Sequence, residues 1–332
     1  MKKILTVMLV ALMVALLFVS CKKDPEDDSL AIKLTYVLSD FDGNFEGSFK
    51  DSSAKTVVEG VENVTLPTVS ELATPEGAVF DGWYTEKDSA GNRTYYASGA
   101  EFVVKKNTKL YANWLDSNLA YSTDDNDSSV VIVKSSANAE SYKVSGWYQG
   151  KKVTVVGDFT AAKDVITSIK LPDTIKSISE RAFKDCTKLS SFNFPSGLEK
   201  IGQYAFHDCC ITTDSATGAL VLPNSVNLVD DCAFEGNTAI KSFTLPAASE
   251  TTIGDQVFYS CSNLKSVTLG SGVTTISLQA FYKCDALTSV TIQKSADDIK
   301  NMSHFDVRWS TNTRDGYNEN IKVYDASGKE VK

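Results

Sequence analysis

The residues able to do chemistry in this 332-residue chain are few, and most lie close together. His207 sits in Phe206-His207-Asp208-Cys209-Cys210, where a thiol, an imidazole and a carboxylate fall within one short stretch; the only other histidine is His304. Such a set could form a Cys–His nucleophile, or a zinc site if Cys232 joined it. The spacing argues against both. Cys186, Cys209, Cys261 and Cys284 each follow a phenylalanine (Phe183, Phe206, Phe258, Phe281) by three residues, so they share one slot of a repeating unit. A small apolar side chain recurring at one slot is a core ladder, and free buried thiols are expected. An even cysteine number in an exported chain would otherwise suggest disulfides, with Cys210 and Cys232 the natural pair. His207 falls where Lys184, Tyr259 and Tyr282 stand elsewhere, which predicts an exposed loop. No phosphate-cradling glycine loop or paired-carboxylate constellation stands out. We therefore expect no enzyme, no metal and no cofactor.

The elements that position these residues come from the phenylalanine period. Phe183, Phe206, Phe234, Phe258 and Phe281 are 23, 28, 24 and 23 residues apart. A period in this range marks a solenoid, whose units bury their apolar faces against neighbours. The unit reads Ala-Phe-x-x-Cys-x-x-Leu-x-Ser-Val-x-Leu-Pro-x-x-Val-x-x-Ile-Gly. Its apolar slots are Phe183, Leu189, Phe192, Phe194, Leu198 and Ile201, recurring as Phe258, Leu264, Val267, Leu269, Val273 and Ile276. Ser-Val-x-Leu is a period-2 strand, and stacking predicts one parallel sheet with the phenylalanines opposite it. Two departures stand out: five extra residues around the polar loop Thr213–Gly218, and Asn237 in the cysteine slot. Residues flanking the inward strand positions point outward. They are Ser168 and Lys170, Ser191 and Asn193, Ala219 and Val221, Ser242 and Thr244, Ser266 and Thr268, and Ser289 and Thr291. At about 4.8 Å per strand, six rungs make a hydroxyl-rich, nearly uncharged strip on the order of 24 Å long. It is the candidate binding surface; exposed strands also favour Ser and Thr without any ligand.

The N-terminus reads as a leader. Lys2 and Lys3 precede an apolar run, and Phe18-Val19-Ser20-Cys21 resembles a bacterial lipobox, which implies cleavage before Cys21 and lipidation of its thiol. Several acyl chains give a durable anchor without a spanning helix. Residues 1–20 are then the signal peptide and 21–32 a lipidated tether. Lys22-Lys23-Asp24 with Glu26, Asp27 and Asp28 also resembles the surface-export signal of Bacteroidetes-type lipoproteins, which implies display on the outer membrane.

Residues 33–115 read as short strands. Leu34, Tyr36 and Leu38 alternate with polar neighbours, and Phe102–Val104 with Leu110–Ala112 reads as a hairpin around Lys105–Thr108. FDGWYTEKD (80–88), Gly99 and KLYANW (109–114) resemble the Listeria–Bacteroides repeat, which implies a small β-grasp-like spacer or interaction module. Trp83, Tyr84, Tyr111 and Trp114 are expected to be its core rather than a sugar platform. Calcium is not expected at 40–44 or 124–129, because the ordered oxygen spacing of an EF-hand loop is absent. Residues 116–164 follow as linker and opening cap, with strands on either side of Gly150. Residues 165–293 are the repeats, and 294–332 a C-terminal cap in which Met302, Phe305, Val307, Trp309, Ile321, Val323 and Tyr324 supply apolar surface.

The repeat itself, with its Ala-Phe-x-x-Cys core, resembles the BspA-like leucine-rich repeat of bacterial surface proteins. The expected fold is mainly β: a leucine-rich-repeat solenoid with a parallel sheet, preceded by the β-grasp-like domain. Both resemblances imply non-enzymatic adhesion to a host, matrix or microbial protein. Glycan capture is the alternative, for which only Trp147, Tyr148, Tyr259 and Tyr282 offer rings on the solenoid; a passive envelope scaffold is another. The formal charge of −9 becomes about −11 once Lys2 and Lys3 leave, which disfavours nucleic acid. A monomer is expected.

Overall fold

The computed structural model describes residues 33–39, 44–49, 57–58, 63–246, 250–302 and 321–331. Cys21, the leader, the tether, residues 40–43, His304, Phe305, Val307 and Trp309 lie outside the described residues.

Period-2 burial builds the N-terminal sheet. Leu110, Ala112 and Trp114 share one buried face of strand Thr108–Asp116. That strand is central: Lys33–Val37 runs parallel on one side and Ala78–Tyr84 antiparallel on the other, with Val57–Val58 and Tyr95–Tyr96 at the edges. A bulge between Phe80 and Gly82 lets Phe80 and Trp83 point the same way. Trp83 then packs on Tyr36 at 5.0 Å and Phe80 at 5.4 Å, and Phe80 on Trp114 at 5.1 Å. Gly82 has φ 144°, and a Cβ there would lie 2.5 Å from the Tyr95 ring, so the bulge requires glycine.

Two expectations fail in this sheet. Phe102 does not form a hairpin with 110–112. Both edges of Thr108–Asp116 are already occupied, so Glu101–Phe102 pairs instead with Val64–Thr65. Tyr111 is not core: its ring is half-exposed and its hydroxyl donates to Glu86 Oε1 at 2.8 Å. Tyr84 is buried, but on the opposite face from Trp83. It packs 6.0 Å from Trp147, its hydroxyl donates to Asp81 Oδ2 at 2.5 Å, and it accepts from Gly150 N at 3.0 Å. Buried Asn113 donates to Trp147 O at 2.9 Å and accepts from Ser145 Oγ at 2.9 Å. These satisfied polar groups fasten the sheet to the start of the solenoid.

The run 124–129 is the turn of a hairpin between Leu119–Thr123 and Val131–Ser135. Trp147–Tyr148 and Lys151–Val156 pair across Gly150 as expected. From Val131–Ser135 a continuous parallel ladder runs through Lys151–Val156, Ser177–Ile178, Lys200–Ile201, Leu228–Val229, Thr251–Ile253 and Val273–Ile276. This second sheet, built on the Ile-Gly end of each unit, was not foreseen.

The Ser-x-Thr side is not one sheet. Ser141–Lys143, Ser168–Lys170 and Ser191–Phe192 form one parallel set; Ala219–Val221, Ser242–Leu245, Ser266–Leu269, Ser289–Ile292 and Lys322–Tyr324 form another. The inserted loop makes the break. Thr213 Oγ1 accepts the Val221 N–H at 2.9 Å, and Thr213 N donates to Ala219 O at 2.8 Å, so that edge is spent locally. Beyond the last repeat, Ser295 caps the helix Ala296–Lys300, which buries Ile299. Met302, Ile321, Val323 and Val331 pack beside it.

On the third side the phenylalanines stack. Ring centroids of Phe183, Phe206, Phe234, Phe258 and Phe281 lie 5.3, 5.4, 5.4 and 5.5 Å apart, within 8° of parallel. Phe159 begins the column, 5.0 Å from Phe183, with Ala162 in its cysteine slot. Each turn donates to the next: Phe183 N to Ala205 O at 2.8 Å, Phe206 N to Ala233 O at 2.8 Å, Phe234 N to Val257 O at 2.9 Å and Phe258 N to Ala280 O at 2.7 Å. This ladder holds non-glycine residues at positive φ, among them Asp185 at 63° and Asp208 at 52°, with Gly236 in the same place.

Truncating Phe234 removes a ring packed on both sides. Phe234→Ala should lose about 3–5 kcal/mol of stability. The control Leu278→Ala, at a side chain 51% exposed, should change it by less than about 0.5 kcal/mol. Urea unfolding followed by circular dichroism measures both.

Candidate binding face

The register of the broken sheet lines up two outward columns. Ser141 and Ser168 are level, with the backbone of Ser191 in register beside Ser168, as are Ala219, Ser242, Ser266, Ser289 and Lys322. Beside them run Lys143 and Lys170, then Val221, Thr244, Thr268, Thr291 and Tyr324. The residues between, from Tyr142 and Ile169 to Val267 and Val290, are buried. Lys170 and Asn193 are exposed; Ser168, Ser242, Thr244, Ser266, Thr268, Ser289 and Thr291 are half-buried by their neighbours. The hydroxyls of Ser242, Thr244, Ser266, Thr268, Ser289 and Thr291 make no hydrogen bond among the described residues, which leaves each able to donate and accept outward. Asn193 differs: its amide accepts from Leu171 N and donates to Leu171 O, both at 2.9 Å, standing in for a ladder partner.

Two rungs escaped the sequence. Ser141–Lys143 and Lys322–Tyr324 keep the polar-apolar-polar alternation but lack the repeat around it. With Lys170 they place cations at both ends of the face, Lys143 and Lys170 at one and Lys322, paired with Glu330 at 3.5 Å, at the other. A hollow of about 650 Å³ lies over Ser141, Lys143, Ser168, Lys170 and Asn193. Val221, 43% exposed, is the apolar point of the strip.

The cysteine slot does chemistry of a structural kind. Cys209 Sγ donates to Phe183 O at 3.0 Å, Cys261 Sγ to Phe234 O at 3.2 Å and Cys284 Sγ to Phe258 O at 3.1 Å. Asn237, in the same slot, donates from Nδ2 to Phe206 O at 2.6 Å. At Cys209, Asn237, Cys261 and Cys284 the slot thus holds a small donor to the phenylalanine carbonyl of the preceding turn, which an apolar reading of cysteine misses; Cys186 Sγ instead lies 4.0 Å from Lys184 O. Burial pushes the thiols up: Cys186 and Cys284 to about 12, Cys232 to about 11, and Cys209 and Cys261 well above the ordinary value. They remain protonated donors and poor nucleophiles. All six described cysteines are unpaired; Cys210 is half-buried, and Cys232 lies 3.7 Å from Gln256 Oε1.

His207 is not on an exposed loop. Its half-buried ring rests 5.7 Å from Tyr204, with Nδ1 3.3 Å from Asp185 Oδ1 and 3.3 Å from Asp208 Oδ2, and Nε2 3.8 Å from Glu235 Oε2. Carboxylates from three successive turns thus surround it. Cys209 is turned inward to Phe183 O and Cys232 toward Gln256, so neither thiol forms a couple with the imidazole. Of the ring candidates for glycan capture, Trp147 and Tyr282 are buried and Tyr148 is stacked on Tyr121 at 5.2 Å.

The raised thiols fix a pH dependence. Cys186 and Cys284 rise from an ordinary 9.0 to about 12 on folding, so the unfolded chain loses these protons first. The contribution of these two thiols to stability is fully present below about pH 9 and is lost as pH rises toward 12. Urea midpoints measured across this window should fall, and Cys284→Ala should flatten the fall; an unchanged alkaline slope in that variant contradicts it.

Residues 154–220 and 214–308 match the BspA type leucine rich repeat region in six copies, and residues 40–113 match the Listeria-Bacteroides repeat domain. No curated protein matches the chain. Among solved structures, a T. pallidum leucine-rich repeat protein is 22% identical with a TM-score of 0.40, covering 51% of this chain and 88% of its own. A Bacteroides ovatus leucine-rich repeat protein is 24% identical with a TM-score of 0.43, covering 52% and 45%. A Faecalibacterium prausnitzii leucine-rich cell surface protein is 20% identical with a TM-score of 0.34, covering 53% and 53%, so the chain spans about half the length of these last two. Residues 154–308 are thus a BspA-type leucine-rich repeat region, preceded by a Listeria–Bacteroides repeat domain.

Proposed function

We propose that the chain is a lipid-anchored surface protein that binds a protein ligand of host, matrix or microbial origin along the Ser/Thr columns of its solenoid. The observation that carries this reading is the row of outward hydroxyls, from Ser242 to Thr291, that have no hydrogen-bond partner among the described residues, in a molecule five of whose six described thiols are buried. A hydroxyl array recognises by hydrogen bonding and shape rather than by charge, as suits the polar surface of a folded protein. Lys143 and Lys170 at one end orient a partner that presents acids there. Of the four rings a neutral sugar platform would use, Trp147 and Tyr282 are buried and Tyr148 is stacked on Tyr121, which favours a protein ligand over a glycan. The chain acts as a monomer and carries no catalytic group in this reading. Among the described residues no helix is long and apolar enough to cross a membrane, and Cys21 is the proposed attachment point.

Immobilised matrix and bacterial surface proteins, probed with the full chain, test the face. A ligand found this way should bind at least about ten-fold more weakly to a variant carrying Ser242→Glu, Thr244→Lys, Ser266→Glu and Thr268→Lys. Undiminished binding removes the face from the proposal. For the anchor, labelled palmitate should enter the wild-type protein and not Cys21→Ser, and protease added to intact cells should remove the solenoid. Label retained in Cys21→Ser contradicts lipidation at that residue, and full protection from protease contradicts surface display.

A further inference from the structure

A second concave site lies away from the hydroxyl face, where the N-terminal sheet meets the first turns of the solenoid. This groove of about 480 Å³ is lined by Lys87 and Arg93 from the loop after strand Ala78–Tyr84, by Lys152 and Thr154 of strand Lys151–Val156, and by the turn containing Asp173 and Lys176. The sheet and the start of the solenoid are also joined by hydrogen bonds among Asp81, Tyr84, Asn113 and Ser145. Preformed pockets of this size at domain junctions are favoured places for small ligands.

The charge of the lining is opposite to that of the chain. Four cations from three segments face the groove in a protein of net charge −9. Lys87 and Lys152 have no carboxylate partner among the described residues, and the Lys152 ammonium lies 5.8 Å from the centre of the Trp147 ring. Arg93 is oriented by a bond from its guanidinium to Thr85 O at 2.8 Å, and Lys176 by Glu199 at 2.9 Å. The one acid of the lining, Asp173, is engaged by Ser196, whose N–H and hydroxyl donate to it at 3.3 and 3.2 Å. Like charges gathered in a cleft with protein walls repel one another and concentrate a field that a bound anion relieves. Nothing in the hydroxyl face requires this arrangement.

We infer that the groove is a binding site for a small ligand bearing oxyanion groups, a sulfated or carboxylated saccharide unit or a free phosphate, held by Lys87, Arg93, Lys152 and Lys176. Arg93 offers a planar fork of donors to the oxyanion, and the lysines supply point charge around it.

The test titrates the full chain calorimetrically at low salt with three probes: a sulfated heparin disaccharide, the same disaccharide without sulfates, and inorganic phosphate. The sulfated disaccharide should bind, its affinity falling with added salt, and the unsulfated one should not. Lys87→Glu and Lys152→Glu should each weaken binding about ten-fold. The four-residue variant of the hydroxyl face should bind as the wild type does. Lys87 is exposed on a loop, so its variant keeps the test valid if Lys152→Glu fails to fold. Phosphate binding as tightly as the disaccharide, with the same lysine dependence, supports the site and assigns the free ion to it. Failure of both anions to bind, equal binding of the unsulfated sugar, or undiminished binding by Lys87→Glu overturns the inference.

Discussion

The carbonyls of Phe183, Phe206, Phe234 and Phe258 each take a backbone N–H from three residues on and a second donor from the next turn, and much of the solenoid is arranged around that contact. The ring of one turn stacks on the ring of the next, the N–H of one phenylalanine bonds the residue preceding the next phenylalanine, and its carbonyl takes a thiol or amide from the slot three residues after that next phenylalanine. These contacts fix the distance between turns independently of chain length. The steps between phenylalanines range from 23 to 28 residues, yet the rings remain 5.3 to 5.5 Å apart. The surplus is expelled at 213–218, where Asp214 and Thr213 close a local loop. Stability in such an array is a sum of turn and interface terms, so an insertion is tolerated where it leaves the interface untouched.

The same contact explains why cysteine and asparagine exchange at one position. Both are small, and both can donate to the carbonyl behind them. Asparagine fits less well, because Asn237 Oδ1 is buried without a partner, and an unsatisfied acceptor is destabilising. Protonated thiols meet the need with a single donor, a weakly polar atom and little side-chain entropy to lose. The described part of the chain can thus carry six unpaired cysteines, five of them buried in the fold.

How much of this was legible depended on whether a residue's environment repeats. Phe183 through Phe281 could be read because five copies agree, and the first domain because Gly82-Trp83-Tyr84 and the stretch from Leu110 to Trp114 satisfy a bulge and a central strand. Phe159 was missed: Thr160-Ala161-Ala162 follows it instead of the expected pattern, although its 24-residue offset from Phe183 was available. Local apolarity showed that 102 and 110–112 are strands but not with which partner they pair, since pairing is decided by which edges are left open. The break in the outer sheet turned on one threonine hydroxyl reaching a backbone N–H eight residues away in sequence, which no pattern announces. The columns could be placed, yet their ligand could not, because outward positions on a strand are unconstrained by the core. The basic groove was invisible for a simpler reason: its lysines come from segments far apart in sequence.

Native-state hydrogen exchange of the phenylalanine amides tests the central claim, that the stacked turns form one continuous ladder, most directly. The N–H groups of Phe183, Phe206, Phe234 and Phe258 should exchange only through global opening of the solenoid, with closely similar free energies across the Thr213–Gly218 insertion. Fast exchange at Phe234 alone, or separate protection levels on the two sides of the insertion, would show that the column is divided and contradict it.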